Sequence, residues 1–352
     1  MPLRKIAVLG LGKVGALAAK LLAGGGFDVV AFDSRATAAL PFEVRAVNLE
    51  TDAGAAEATQ GFDAVLSCLP YRLNKRIAAA AHARGIHYFD LTEDVPTTQA
   101  IIELSKTATA LMAPQCGLAP GFVGIVGAAQ VAAFEACRSL RLRVGALPQH
   151  PTGLMGYAFN WSPEGVVNEY LNDCEVIEDG VRKFVSSMEW NETIYVDGVM
   201  LEAFTTSGGL GTICETFHGK VANIDYKSMR YPGHMRLMNF FFHELLMRER
   251  RSLAGEILTN AKPPVNDDIV YVHVSAEGTI DGQLQRREFV RAYRPIELVG
   301  GMQRAIAWTT SASVVAVIEM VRDGALPQRG FLKQEEIPLS KFLATTTGRW
   351  FQ

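Results

Sequence analysis

Cysteine is scarce and unpatterned in this chain. Five residues in 352 (Cys68, Cys116, Cys137, Cys174, Cys214) make an odd count with no Cys-x-x-Cys, so neither a disulfide framework nor a thiolate zinc site is indicated. Seven histidines form no His-x-x-x-His pair, and His243-Glu244 lacks a second histidine at metalloprotease spacing, so no metal site is expected. Charge of one sign is also lacking: 34 Lys and Arg against 37 Asp and Glu give a net −3, which removes the basic excess of a nucleic-acid surface. No run approaches the roughly 18–20 apolar residues of a membrane helix, and no membrane partner is expected. The opening Met-Pro-Leu-Arg-Lys runs straight into an apolar strand without a signal-peptide core, so the expected compartment is the cytoplasm.

What is present is ordinary globular composition, 49% hydrophobic and 20% charged, long enough for two domains at roughly 100–200 residues each. Strands are expected at Lys5 to Leu9, Asp28 to Phe32, Val44 to Leu49, Asp63 to Cys68, Ile86 to Asp90 and Thr109 to Ala113. Helices are expected at Gly12 to Leu22, Lys75 to Arg84 and Pro96 to Lys106. Apolar strands alternating with helices predict βαβ units and a doubly wound parallel sheet, an α/β Rossmann domain over residues 1–122. From 123 to 304 the pattern favours strands, with Arg138 to Gly145 and Ile269 to Glu277 alternating, and helices at Gly121 to Glu135, Gly208 to His218 and Gly233 to Met247. That predicts an α+β domain on a mostly antiparallel sheet, suited to substrate binding and to a homodimer. Residues 305–352 supply a helix, Ala305 to Val321, and a tail expected to pack back on the first domain.

Gly10-Leu-Gly12-Lys13-Val14-Gly15 follows the first strand, opens the first helix, and precedes Asp33 at the end of the second strand. In this setting Gly10 permits the tight turn, Gly12 lets a pyrophosphate reach the backbone, and Gly15 lets helix and strand close up. The free N–H groups and the positive dipole end at the start of the helix favour phosphate. Asp33 can accept from both ribose hydroxyls and would repel a 2′-phosphate. NAD is therefore the expected cofactor, with NADP possible if Ser34-Arg35 offsets the acid.

Ligands of doubly wound sheets sit beyond the carboxyl ends of the strands, where Ser67 to Tyr71, Asp90 to Asp94 and Pro114 to Gly121 arrive. Leu69 and Pro70 fall where the chain passes the nicotinamide ribose, with Tyr71 beside them. Asp90 is a candidate for proton transfer and equally a turn carboxylate. Cys116 either lines a pocket or is a plain buried thiol, and Glu93 and Asp94 suit helix capping. In the second domain, Asn160-Trp161-Ser162-Pro163-Glu164-Gly165 and Met229-Arg230-Tyr231-Pro232-Gly233-His234 are dense in functional types. The planar fork of Arg230 matches a carboxylate, though it also suits a structural salt bridge. His234 can move a proton near neutral pH or cap a helix. Trp161 and Ser162 can wall a ligand, and Glu164 either handles a proton or fills a helix first turn.

Together, Gly10 to Gly15, Tyr88-Phe-Asp-Leu-Thr92, Cys116-Gly-Leu-Ala-Pro-Gly121, Phe159-Asn-Trp-Ser-Pro-Glu164 and Met229 to His234 resemble the saccharopine dehydrogenase-like family, and most of all its lysine 6-dehydrogenase branch. The resemblance implies an NAD(P)-dependent oxidoreductase acting on the C–N bond of an amino-acid substrate. Asp90, Cys116, Trp161 and Arg230 would then border that substrate. Ala119 stands where the family's turn has an acid, so the substrate can differ from that of its relatives. Two other outcomes stay open: a saccharopine- or carboxynorspermidine-type reductase joining an aldehyde and an amine, and an NAD-sensing protein without turnover.

Overall fold

The computed structural model describes residues 3–35 and 40–352, which leaves Met1 and Pro2 of the opening segment outside it. The chain divides into two compact units, Met1–Ile125 with Ala307–Gln352, and Val126–Ile306.

The first unit runs β1 (Lys5–Leu9), α1 (Lys13–Gly24), β2 (Asp28–Asp33), β3 (Glu43–Ala46), α2 (Asp52–Thr59), β4 (Ala64–Ser67), α3 (Tyr71–Arg84), β5 (His87–Asp90), α4 (Val95–Ser105) and β6 (Leu111–Ala113). The strands lie in the order 6-5-4-1-2-3, all parallel, which is the doubly wound arrangement. A short strand from the C-terminal segment, Gly330–Phe331, pairs in parallel with β6. Ile6, Ala7, Val8 and Leu9 of β1 are all fully buried, because helices cover both faces of a parallel sheet. Each large side chain buried in this way contributes about 1.5–3 kcal/mol. Asp94 accepts from Thr97 N at 2.9 Å and so caps α4. Helix α2 escaped the sequence reading because its Ala-rich DAGAAEAT carries no apolar stripe.

By length and composition Ala305–Arg322 qualifies as a membrane span, contrary to the expectation that no run comes close, but 83% of it is buried inside the protein. The serines and threonines Thr309, Ser311 and Ser313 along it are buried as well.

The second unit carries the rest of α5 (Phe122–Val131), then β7 (Ala136–Pro148), α6 (Pro163–Leu171), β8 (Cys174–Glu178), β9 (Val181–Val185), β10 (Glu192–Val196), β11 (Val199–Thr205), α7 (Ile213–Phe217), β12 (Asn223–Arg230), α8 (His234–Asn239), α9 (Arg251–Ala261), β13 (Asp268–Ile280) and β14 (Gln283–Tyr293). Its sheet runs β10-β11-β12-β7-β13-β14, with β8 attached at β12 and β9 paired to β8. Only the β12–β7 pairing is parallel, so the sheet is mostly antiparallel. A core of Phe159, Val166, Tyr170, Phe204, Met229, Met238 and Phe242, among others, packs on one face.

Three expected helices are shorter than their patterns, and of Gly121 to Glu135 only Phe122–Val131 is helical. In Gly208 to His218 only Ile213–Phe217 is helical, because Gly208 (φ +86°) and Gly211 (φ +58°) are left-handed. The backbone of Gly209 also lies so close to Tyr226 that a Cβ there would sit 2.4 Å from the ring. Gly233 to Met247 is helical only to Asn239, then widens into a π-turn at Phe240–Glu244 and stops at Leu246, φ +56°.

Candidate functional site

The glycine turn has the shape its spacing demands. Gly10 is left-handed (φ +87°), and a Cβ on it would lie 3.0 Å from the Cys68 carbonyl and from the Leu69 side chain, so Cys68 and Leu69 border the turn, with Pro70 next in the chain. A Cβ on Gly15 would sit 1.9 Å from the Gly10 carbonyl oxygen, so no other residue fits. A Cβ on Gly12 would meet nothing within 4 Å. Gly12 is the N-cap of α1, yet among the described residues no side chain caps the helix, and no acid stands in its first turn, which Lys13 and Val14 open. That leaves a positive helix end over open space, the environment a pyrophosphate requires. Asp33 secures the turn: Leu11 N donates to its Oδ2 at 2.7 Å and Arg35 N to its Oδ1 at 3.1 Å. Its carboxylate thus sits at the end of β2, next to the exposed Ser34 and Arg35, and the set fits a dinucleotide.

At the carboxyl end of β5, Asp90 is fully buried. It accepts from Tyr88 Oη (2.7 Å), Gln115 N (2.9 Å), Thr92 N (3.0 Å) and Asn74 Nδ2 (3.3 Å). Burial pushes its carboxyl up to about 6 against the pull of these donors. With both oxygens engaged, Asp90 buckles together the ends of β5 and β6 and fixes Gln115 at φ +64°. Asn74 and Gln115 belong to this buckle and were missed; no local pattern marks them. The Cys116 thiol, fully buried, donates to the Ala113 carbonyl at 3.1 Å and accepts from Gln334 at 3.2 Å, and burial pushes its pKa up. Tyr71 opens α3 after the exposed Pro70.

In the second unit Arg230 ends β12 and is 3% exposed. Its guanidinium lies over the rings of Tyr157 (4.8 Å) and Tyr170 (5.5 Å). Nε donates to Tyr170 Oη at 2.7 Å and Nη1 to the Met229 carbonyl at 2.9 Å. Among the described residues no carboxylate lies within ion-pair distance of it; Glu169, itself buried, acts only at longer range. The Tyr157 hydroxyl is buried with the Trp161 indole beside it, yet among the described residues it meets no partner in hydrogen-bond geometry.

His234 starts α8, whose first turn is anchored by Gly233 N and Met235 N donating to Glu202 at 3.0 and 2.6 Å. Its Nδ1 lies 2.9 Å from the Met155 carbonyl and its Nε2 3.0 Å from Tyr170 Oη. A carbonyl only accepts, so Nδ1 carries the proton and Nε2 accepts from the Tyr170 hydroxyl. The bonds therefore run in one direction: Arg230 to Tyr170, Tyr170 to His234, His234 to Met155. Burial first, and then the charge of Arg230, push the imidazole down to about 3. The expected titration near neutral pH is therefore corrected: His234 is neutral, fully buried and spent on both nitrogens, so it positions Tyr170 and Arg230.

The remaining expected residues sit at the rim of this unit's core. Ser162 caps α6 by accepting from Gly165 N at 3.1 Å. Glu164 is exposed in the first turn of that helix, and Trp161 packs half-buried on the core. Tyr157 and Tyr170, which complete the arginine's setting, were missed; Tyr157 is one aromatic in an apolar stretch and Tyr170 one in a polar stretch of helix, with nothing local to single either out.

Residues 6–114 match the model of the saccharopine dehydrogenase NADP binding domain, and residues 117–348 that of the saccharopine dehydrogenase C-terminal domain. The chain belongs to the saccharopine dehydrogenase family. At the level of the family the resemblance read from the motifs is thus borne out, and the cofactor is NAD(P). The family's architecture recurs in solved structures. Saccharopine dehydrogenase (L-Glu forming) from Saccharomyces cerevisiae is similar with a TM-score of 0.75 at 14% identity, covering 97% of each chain. An engineered D-amino acid dehydrogenase bound to NADP+ gives 0.52 at 14% identity, with 97% of each chain covered. DAP dehydrogenase of C. glutamicum in complex with DAP gives 0.52 at 12% identity, over 98% of this chain and 97% of that one. At these identities the likeness is one of fold.

Proposed function

We propose that this saccharopine dehydrogenase family member oxidises the C–N bond of a free amino acid with NAD, as the lysine 6-dehydrogenases do. The reading rests on one observation: a fully buried guanidinium to which no described residue brings a carboxylate within ion-pair distance. A buried charge without a close counter-ion is costly, and a substrate α-carboxylate is the partner its planar fork matches. The orphan Tyr157 hydroxyl adds a second donor for that ligand. Tyr170, held in turn by His234, sets the orientation of Arg230 before substrate arrives, which reduces the ordering cost of binding.

In the first unit the Gly10–Gly15 turn and the start of α1 hold the pyrophosphate, and Asp33 accepts from the ribose. A 2′-phosphate would face that carboxylate, which supports NAD over NADP. Bound nicotinamide supplies the hydride acceptor for oxidation of the amine carbon.

The test follows NAD+ and NADP+ reduction by absorbance over a panel of free amino acids and polyamines. Reduction of NAD+ by an amino acid bears the proposal out. Turnover confined to an aldehyde plus an amino acid, with reduced cofactor, points instead to the amine-joining reductases. Tight NAD binding without turnover of any member refutes the oxidation.

A further inference from the structure

A cavity of about 530 Å³ opens in the second unit beside the backbone end of Tyr170. Its volume lies within the roughly 300–1,000 Å³ of small-molecule sites. Arg230, Tyr157 and His234 do not line it; Asp173, Glu189, His243, Arg248 and Arg251 do.

Two cations and two anions thus face one space, and among the described residues none of the four forms an ion pair. Arg248 Nη1 donates to His243 Nδ1 at 3.1 Å, a neutral acceptor. Arg251 Nη1 donates to the side-chain carbonyls of Asn168 (2.9 Å) and Asn172 (2.8 Å), also neutral. These bonds aim both guanidinium groups while leaving their charge unspent. Ser187, also in the lining, turns its hydroxyl away to the Tyr170 carbonyl at 2.7 Å. The backbone around the cavity is unusual too. Met188 (φ +55°), Trp190 (φ +51°) and Leu246 (φ +56°) are three of the eight left-handed non-glycine residues described, and the π-turn Phe240–Glu244 carries His243. Such conformations are disfavoured and concentrate where a ligand or a switch requires them.

We infer that this cavity is a second binding site, for a small zwitterionic amino acid. Its carboxylate would lie at Arg248 and Arg251 and its ammonium at Asp173 and Glu189. The four side chains sum to zero charge, so a simple anion or a polyamine leaves one pair unmatched, whereas a dipolar ligand satisfies both. The inference stands apart from the role given to Arg230.

Calorimetric titration with L-alanine tests it, using Arg230→Met so that the first site does not contribute. One L-alanine per chain should bind. Arg248→Gln and Glu189→Gln, both at exposed positions, should each weaken that binding at least about tenfold, and Asp173→Asn should act in the same direction. Acetate and methylamine, each half of the dipole, should bind at least about tenfold more weakly than L-alanine. The inference is overturned if L-alanine does not bind, if Arg248→Gln and Glu189→Gln leave its affinity unchanged, or if acetate or inorganic phosphate binds as well as L-alanine.

Discussion

Arg143 and Arg230 lie on the neighbouring strands β7 and β12 of one sheet, 1% and 3% exposed, and the chain treats them in opposite ways. Arg143 receives two acids, Glu192 at 2.5 Å and Asp225, and Lys227 joins the group through Glu192 at 3.0 Å. Arg230 receives none within ion-pair distance among the described residues. Two phenol rings, one hydroxyl and one carbonyl hold it in place. A buried arginine that serves the fold brings its counter-ions from the chain, even where one nitrogen (Arg143 Nη2) stays unpaired. On the proposed reading, a buried arginine without a close counter-ion receives a charge that arrives from outside.

Substitutions should pull the two apart. Arg230→Met should lower kcat/KM for the amino-acid substrate by the equivalent of about 2–5 kcal/mol. Its urea midpoint should stay level or rise, because the change removes an unpaired charge; a collapse in stability would erase the contrast. Arg143→Met should do the reverse. Unfolding free energy should fall by about 2–3 kcal/mol, below the ~3–5 of a fully buried pair because Glu192 is 33% exposed, while kcat/KM holds.

His234 sharpens the comparison through pH. Its folded-state pKa, near 3, lies below the unfolded value of about 6.5, so in that window the unfolded chain binds the extra proton. Stability should therefore fall as pH drops from 6.5 toward 3, with about 1–2 kcal/mol of the loss spent by pH 5. Asp90 works against this slope: its raised pKa means that its contribution is fully present below about 3.9 and is lost as pH rises through 6. Urea melts at pH 7 and pH 5 should show a smaller acid loss in His234→Gln than in the parent; equal losses would mean that the imidazole is not held neutral. The smallest effect belongs to Tyr157→Phe. Removing one orphan hydroxyl should cost about 0.5–1.5 kcal/mol in kcat/KM and nothing in folding.

The sequence reading succeeded where function is written in local geometry. Gly15 can only be glycine because a Cβ would strike the Gly10 carbonyl, and that constraint shows in the spacing itself. The alternating strands of the first unit were legible for the same reason. Helix α2 was not, since nothing apolar recurs along it. Arg230 was legible as a residue type but not as an unpaired one, because its partner Tyr170 lies 60 residues away. His234 misled for a related reason: its charge state is set by burial and by Arg230, which no stretch of sequence around it reveals. Asp90 likewise read equally as a proton carrier and as a turn carboxylate, because its partners Tyr88, Thr92 and Gln115 come together only in the fold.

The most direct test of the unpaired arginine needs no substitution. Initial rates of NAD+ reduction are compared for an amino-acid substrate and for its α-carboxamide, which keeps the amine and the reacting carbon and removes only the negative charge. If Arg230 receives the carboxylate, kcat/KM for the amide falls at least about 30-fold, the equivalent of about 2 kcal/mol. Equal rates for acid and amide would contradict the account.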